Sequence, residues 1–169
     1  MWLWRANIYV ISLGLNASFS EDSLTTTGMT GTFTMGTSHT LTLAALSTLS
    51  GAFSGTTSTI IITGGGLTLS GNVTGSGVTI SLTTATQTID SSASLYSNAL
   101  PLSFGYAGII SLAAGHSWTN SGLVTFAAAT NLNYNSVGGS SADTFTTSGG
   151  LTMTASSGKI GRASCRERV

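Results

Sequence analysis

The chain has 169 residues, with 5 Lys and Arg against 5 Asp and Glu and a formal net charge of +0, which is one domain or a piece of a larger one, long enough to bury a core. Charged residues are 6% of the chain and hydrophobic ones 41%; the usual charged share is ~25%, and low charge with this much apolar surface excludes charge-driven disorder. Lys159, Arg162, Arg166 and Arg168 lie in the last eleven positions, so residues 1–158 hold Arg5 alone against Glu21, Asp22, Asp90 and Asp143; with no basic patch to neutralise phosphates, nucleic acid is not an expected partner.

Residues 1–20, MWLWRANIYVISLGLNASFS, place Arg5 before the apolar stretch Ile8 to Leu15 and a small residue, Ala17. They read either as a secretory signal peptide or as a first buried strand. No run in the chain reaches the ~20 apolar residues of a membrane-spanning helix.

Residues 21–158 alternate in short bursts bounded by Gly, Ser or Asn. Phe33 and Met35 share one side of GTFTMG, Leu41 and Leu43 one side of TLTL, and Leu67 and Leu69 one side of GGGLTLSG. Val78, Ile80 and Leu82 do the same in GVTISL, and Leu151 and Met153 in GGLTMT. Period two between turn residues predicts half-buried strands. The β-branched Thr between the apolar residues suits extended backbone facing water. Helical spacing is weak: Thr42–Leu49 carries Leu43, Leu46 and Leu49 but closes at Ser50 and Gly51, and Phe126–Thr130 is shorter.

The glycine-plus-strand unit recurs at Gly31, Gly66, Gly77, Gly122 and Gly150 without a fixed period. Repetition with variable loops predicts an all-β solenoid whose coils bury their apolar edges against one another. An antiparallel β-sandwich or an irregular β-roll would satisfy the same alternation.

Candidate sites are few. GHSWT (Gly115–Thr119) approaches the nucleophile elbow of α/β-hydrolases around Ser117, but Thr119 stands where that turn needs Gly and no strand–helix alternation surrounds it; Trp118 is expected to pack beside a turn. SSGK (Ser156–Lys159) has the end of a phosphate loop, with Met153 in place of its earlier Gly. His39 and His116 have no partners at metal-ligand spacing, and the four scattered acids offer no carboxylate pair for glycosidic chemistry. Asn16 and Asn72 open glycosylation sequons of the kind that a Ser/Thr-rich chain produces by chance. No catalytic residue, cofactor site or metal site is therefore assigned. Thr-x-Thr triplets begin at Thr32, Thr40, Thr57, Thr84, Thr144 and Thr152; their uneven intervals disfavour the unbroken Thr array of β-solenoid antifreeze proteins.

Residues 159–169, KIGRASCRERV, hold the only cysteine, Cys165. The segment resembles the translation of a common short-read sequencing adapter and is set apart from the fold as a non-native tail, which implies that the natural chain continues beyond Gly158. Disulfides are then absent from residues 1–158.

GGGLTLSGNVTGSGVTISL (Gly64–Leu82), NSGLVTF (Asn120–Phe126) and TTSGGLTMT (Thr146–Thr154) resemble the passenger region of bacterial autotransporters and filamentous-haemagglutinin-type adhesins. The resemblance implies a right-handed parallel β-helix with coils of roughly 20 residues, which at ~4.8 Å per coil is a rod of six or seven coils on the order of 30 Å long. It implies a non-enzymatic structural or adhesive segment of a large exported surface protein outside the bacterial outer membrane, meeting host or environmental glycans or neighbouring fibres. An ice-binding solenoid, a fragment of a pectate-lyase-like carbohydrate-active β-helix enzyme and a phage tail-fibre segment are the alternative expectations.

Overall fold

The computed structural model describes residues 13–84, 87–91, 96–105, 109–112, 117–127, 131–134, 144–153 and 159–161. In chain order the strands are β1 (Leu13–Gly14), β2 (Phe19–Glu21), β3 (Thr32–Thr37), β4 (Thr40–Leu43), β5 (Ser47–Ile62), β6 (Leu67–Leu82), β7 (Gln87–Ser91) and β8 (Ser97–Asn98). They continue with β9 (Leu102–Phe104), β10 (Ile109–Leu112), β11 (Ser117–Asn120), β12 (Val124–Phe126), β13 (Asn131–Tyr134), β14 (Thr144–Thr147), β15 (Leu151–Met153) and β16 (Lys159–Gly161). No helix occurs among the described residues. Thr42–Leu49 runs from β4 through a corner into β5; Leu43 and Leu49 are buried while Leu46 is 53% exposed, so the three leucines share no face.

Every strand pairing among the described residues is parallel, which rules for the solenoid over the antiparallel sandwich. The pairings sort into three sides. Side A stacks β1, β3, the middle of β5, the middle of β6, β8, β11 and β14. Side B stacks β2, β4, the end of β5, the end of β6, β9, β12 and β15. Side C stacks the starts of β5 and β6, then β7, β10, β13 and β16. Seven described strands at ~4.8 Å make sides A and B roughly 30 Å tall over the described residues. The 16-residue strands β5 and β6 each wrap all three sides, with register shifts at the bends between Leu49 and Gly51 and between Ser54 and Ser58.

The step between stacked coils varies. Phe33 lies on Phe53, Leu102 on Val124, Val124 on Leu151 and Leu132 on Ile160, so the coil lengthens toward the C-terminus. Corners absorb the difference, which is why the sequence shows the unit but no fixed period. Tight corners need glycine: Gly77 has φ +69°, and a Cβ there would overlap the Gly55 carbonyl of the coil below.

Alternation in the sequence becomes inside and outside. On side B the inward row Leu41–Ile60–Ile80–Leu102–Val124 is at most 4% exposed. Beside it runs Leu43–Ile62–Leu82–Phe104–Phe126, ending in the stacked rings of Phe104 and Phe126 with centroids 4.9 Å apart. On side A, Phe33 and Phe53 tilt against each other at 5.5 Å. Each such burial contributes about 1.5–3 kcal/mol. Leu151 departs from its expected burial: it continues the inward row above Val124 but is 42% exposed, because no described strand pairs with β15 on its other side.

Within residues 1–20, Leu13–Gly14 pairs with β3 and Phe19–Ser20 with β4. Lys159–Gly161, the start of the adapter-like segment, pairs with β13, as a backbone ladder accepts any extended segment.

Candidate functional site

Buried hydroxyls and amides are used internally, and nearly all of them sit at corners. Thr26 and Ser50 close a reciprocal set: Thr26 Oγ1 donates to the Ser50 carbonyl (2.8 Å) and accepts from the Ser50 N–H (2.7 Å), while Ser50 Oγ donates to the Thr26 carbonyl (2.8 Å). Ser58 Oγ accepts from the His39 N–H and donates to the Gly36 carbonyl. Half-buried Thr63 and exposed Thr83 likewise donate to the carbonyls of Leu43 and Ile62 on the preceding coils.

Where side A turns into side B, two fully buried asparagines stack. Asn98 Nδ2 donates to the Leu100 carbonyl (2.8 Å) and to Asn120 Oδ1 (2.6 Å), its Oδ1 accepts from the Leu100 N–H (3.3 Å), and Asn120 Nδ2 donates to the Gly122 carbonyl (2.8 Å). A buried polar group costs stability unless it is bonded, so this ladder fixes the corner. The sequence reading missed it. The signal was SNALPL (Ser97–Leu102) against TNSGLV (Thr119–Val124), one coil apart.

Side B differs from the corners. Its outward residues form two rows. One runs Ser20–Thr42–Ile61–Ser81–Ser103–Thr125–Thr152. The other runs Thr40–Thr59–Thr79 and continues through Pro101 and Leu123. From β4 to β15 the side has no register shift within a strand. Rows neighbour at ~4.8 Å along the axis and about 6.6 Å across it. The hydroxyls of Thr40, Thr42, Thr59, Thr79, Ser81, Ser103 and Thr125 have no hydrogen-bond partner among the described residues, and neither row carries a charge. Side A lacks this regularity: its register shifts between Thr34 and Thr37, and Thr34 and Ser54 spend their hydroxyls on each other. Side C presents Thr48 and Thr68 in register with Asp90.

The sequence candidates disperse over this scaffold. Ser117, Trp118 and Thr119 lie in β11, paired residue for residue with Thr144, Phe145 and Thr146; a continuous strand is not the strand-to-helix turn that a nucleophile elbow requires. Gly115, His116 and residues 156–158 lie outside the described residues, and Lys159 opens a strand rather than a helix. His39 is half-buried, and among the described residues no group of three or more His, Cys, Asp or Glu could hold a metal. Glu21 ends β2 on side B, Asp22 follows it, and Asp90 lies on side C; Asp143 lies outside the described residues. Asn72 is exposed, its Oδ1 accepting from the Ser97 N–H at 3.1 Å, and Asn16 is exposed. The Thr triplets divide: those at Thr32 and Thr144 lie on side A and those at Thr40 and Thr152 on side B, while Thr57 turns a corner with φ 53°. The triplet from Thr84 runs into residues outside the described set.

No helix among the described residues is long and apolar enough to cross a membrane. A scan against protein-family models and searches of curated proteins and of solved structures gave no match to this chain.

Proposed function

We propose that this chain is a non-enzymatic structural and adhesive segment of a large exported bacterial surface protein. The observation that carries the reading is the uninterrupted parallel ladder on side B, backed by an apolar column and faced with uncharged hydroxyls. Such a stack holds neighbouring coils together by one hydrogen-bond ladder per side, so load is resisted coil by coil. Its uncharged flank makes contacts that are individually weak and gain strength by repetition.

Single-molecule extension tests the mechanical part. Peeling one coil, such as the step from Leu102 to Val124, frees about 22 residues, or roughly 75 Å of contour at ~3.4 Å per residue. A series of releases of that size is expected. Release of the whole length in one event would sink the reading, and so would hydrolysis or elimination on polysaccharide substrates by the purified chain.

A further inference from the structure

We infer that side B is the docking surface of the rod and that its ligand is a neutral, extended polysaccharide lying along the solenoid axis; this rests on the adhesive reading above. Side B leaves its outward hydroxyls unused. Corner hydroxyls such as Thr26, Ser50, Thr63 and Thr83 are consumed by backbone groups, whereas Thr59, Thr79, Ser81 and Ser103 point outward with no partner among the described residues. Each hydroxyl can donate one hydrogen bond and accept two, which matches the mixed donors and acceptors of sugar hydroxyls.

The second observation is apolar. Ile61 and Pro101 are half-buried within the same two rows, and Leu123 is 43% exposed there. A sugar ring offers a C–H face between its hydroxyls, so a surface alternating methyl groups with hydroxyls meets it on both counts. A lattice of ordered water instead rewards an unbroken repeat of one group, which Ile61, Pro101 and Leu123 interrupt. Charge argues the same way: with no cation in either row the side has nothing to neutralise a polyanion, and Glu21 at its β2 end is itself an anion. A neutral chain is the partner whose chemistry the surface complements.

Direction follows from register. Outward positions repeat along the axis at the coil spacing of ~4.8 Å, so a chain laid along it meets a hydroxyl or an apolar group of these two rows at each coil. One contact is weak, and several in line give retention.

The test uses the full chain and microcrystalline cellulose, a neutral β-linked glucan, with retained protein measured after washing. Wild type is expected to be retained. T59V/T79V removes two hydroxyls while keeping β-branched side chains, and retention should fall about tenfold. T59E/T79E should abolish it, and T68E on side C should leave it unchanged. Circular dichroism and the extension trace are recorded on every variant. A rod that keeps its coil-sized releases but shows no more wild-type retention than T59E/T79E overturns the ligand and leaves the mechanical reading standing; loss of those releases in wild type removes the reading beneath it. Equal loss in T68E overturns the choice of side. Thermal hysteresis in wild type that T59V/T79V abolishes, without cellulose retention, overturns the glycan in favour of ice.

Discussion

Replacing Asn98 by Ala probes the corner where sides A and B meet. The side chain is fully buried and makes three hydrogen bonds: to the Leu100 carbonyl at 2.8 Å, to Asn120 Oδ1 at 2.6 Å, and from the Leu100 N–H at 3.3 Å. Alanine leaves the Leu100 N–H, the Leu100 carbonyl and Asn120 Oδ1 buried without those partners. Each such group costs about 1–3 kcal/mol, and partial relaxation brings the expected total to about 3–5 kcal/mol. Asn120→Ala removes the bond to the Gly122 carbonyl and the acceptor of the Asn98 amide, an expected loss of about 2–4 kcal/mol. The Asn98–Asn120 bond is lost in both single variants, so the double variant should cost less than their sum by about 1–2 kcal/mol. Equilibrium urea unfolding followed by far-ultraviolet circular dichroism measures all three. Asn72→Ala is the control: Asn72 is exposed, water can replace it at the Ser97 N–H, and the expected change is within about 1 kcal/mol. A loss below about 1 kcal/mol in N98A, or strict additivity in the double variant, would refute the ladder as the element that fixes this corner.

Neighbouring residues of β5 should respond oppositely: Ile60→Ala, in the fully buried column, is expected to cost about 2–5 kcal/mol, whereas Ile61→Thr, in the outward row, should stay within about 0.5 kcal/mol by the same urea assay. Phe104→Ala and Phe126→Ala should each cost about 3–5 kcal/mol. A double-mutant cycle on the two rings should return a coupling of about 0.5–1.5 kcal/mol for the stack at 4.9 Å. Gly77→Ala meets both a left-handed φ and the Gly55 carbonyl, for an expected loss of about 1–3 kcal/mol in thermal unfolding; Gly14→Ala, with open space around its Cβ, should be near neutral.

Much of the core was legible in the sequence because alternation within a strand is local. In GTFTMG, TLTL and GVTISL the apolar positions are the buried ones and the hydroxylated positions face outward. Leu151 shows the limit of that reading: its parity is inward, yet burial needs a strand on both sides and, among the described residues, β15 has one on a single side. The candidate surface was not legible. Thr59 and Thr79 sit in different local patterns, TST and VTI, and nothing within either segment says that they stack. The Thr triplets that are conspicuous in the sequence fall on two sides and a corner. Asn98 and Asn120 were hidden for another reason: asparagine beside glycine and serine reads as a solvated turn, and only stacking reveals that each amide is buried against the next.

Period-two alternation of aliphatics with Ser and Thr, punctuated by glycine, determined by itself that this chain forms strands and which way each residue points, because side-chain direction in a strand follows from backbone pleating alone. Tertiary structure decided which strands are neighbours and which hydroxyls share a side. That depends on how many residues each corner absorbs, and the corners vary coil by coil while the interstrand spacing of the ladder stays fixed.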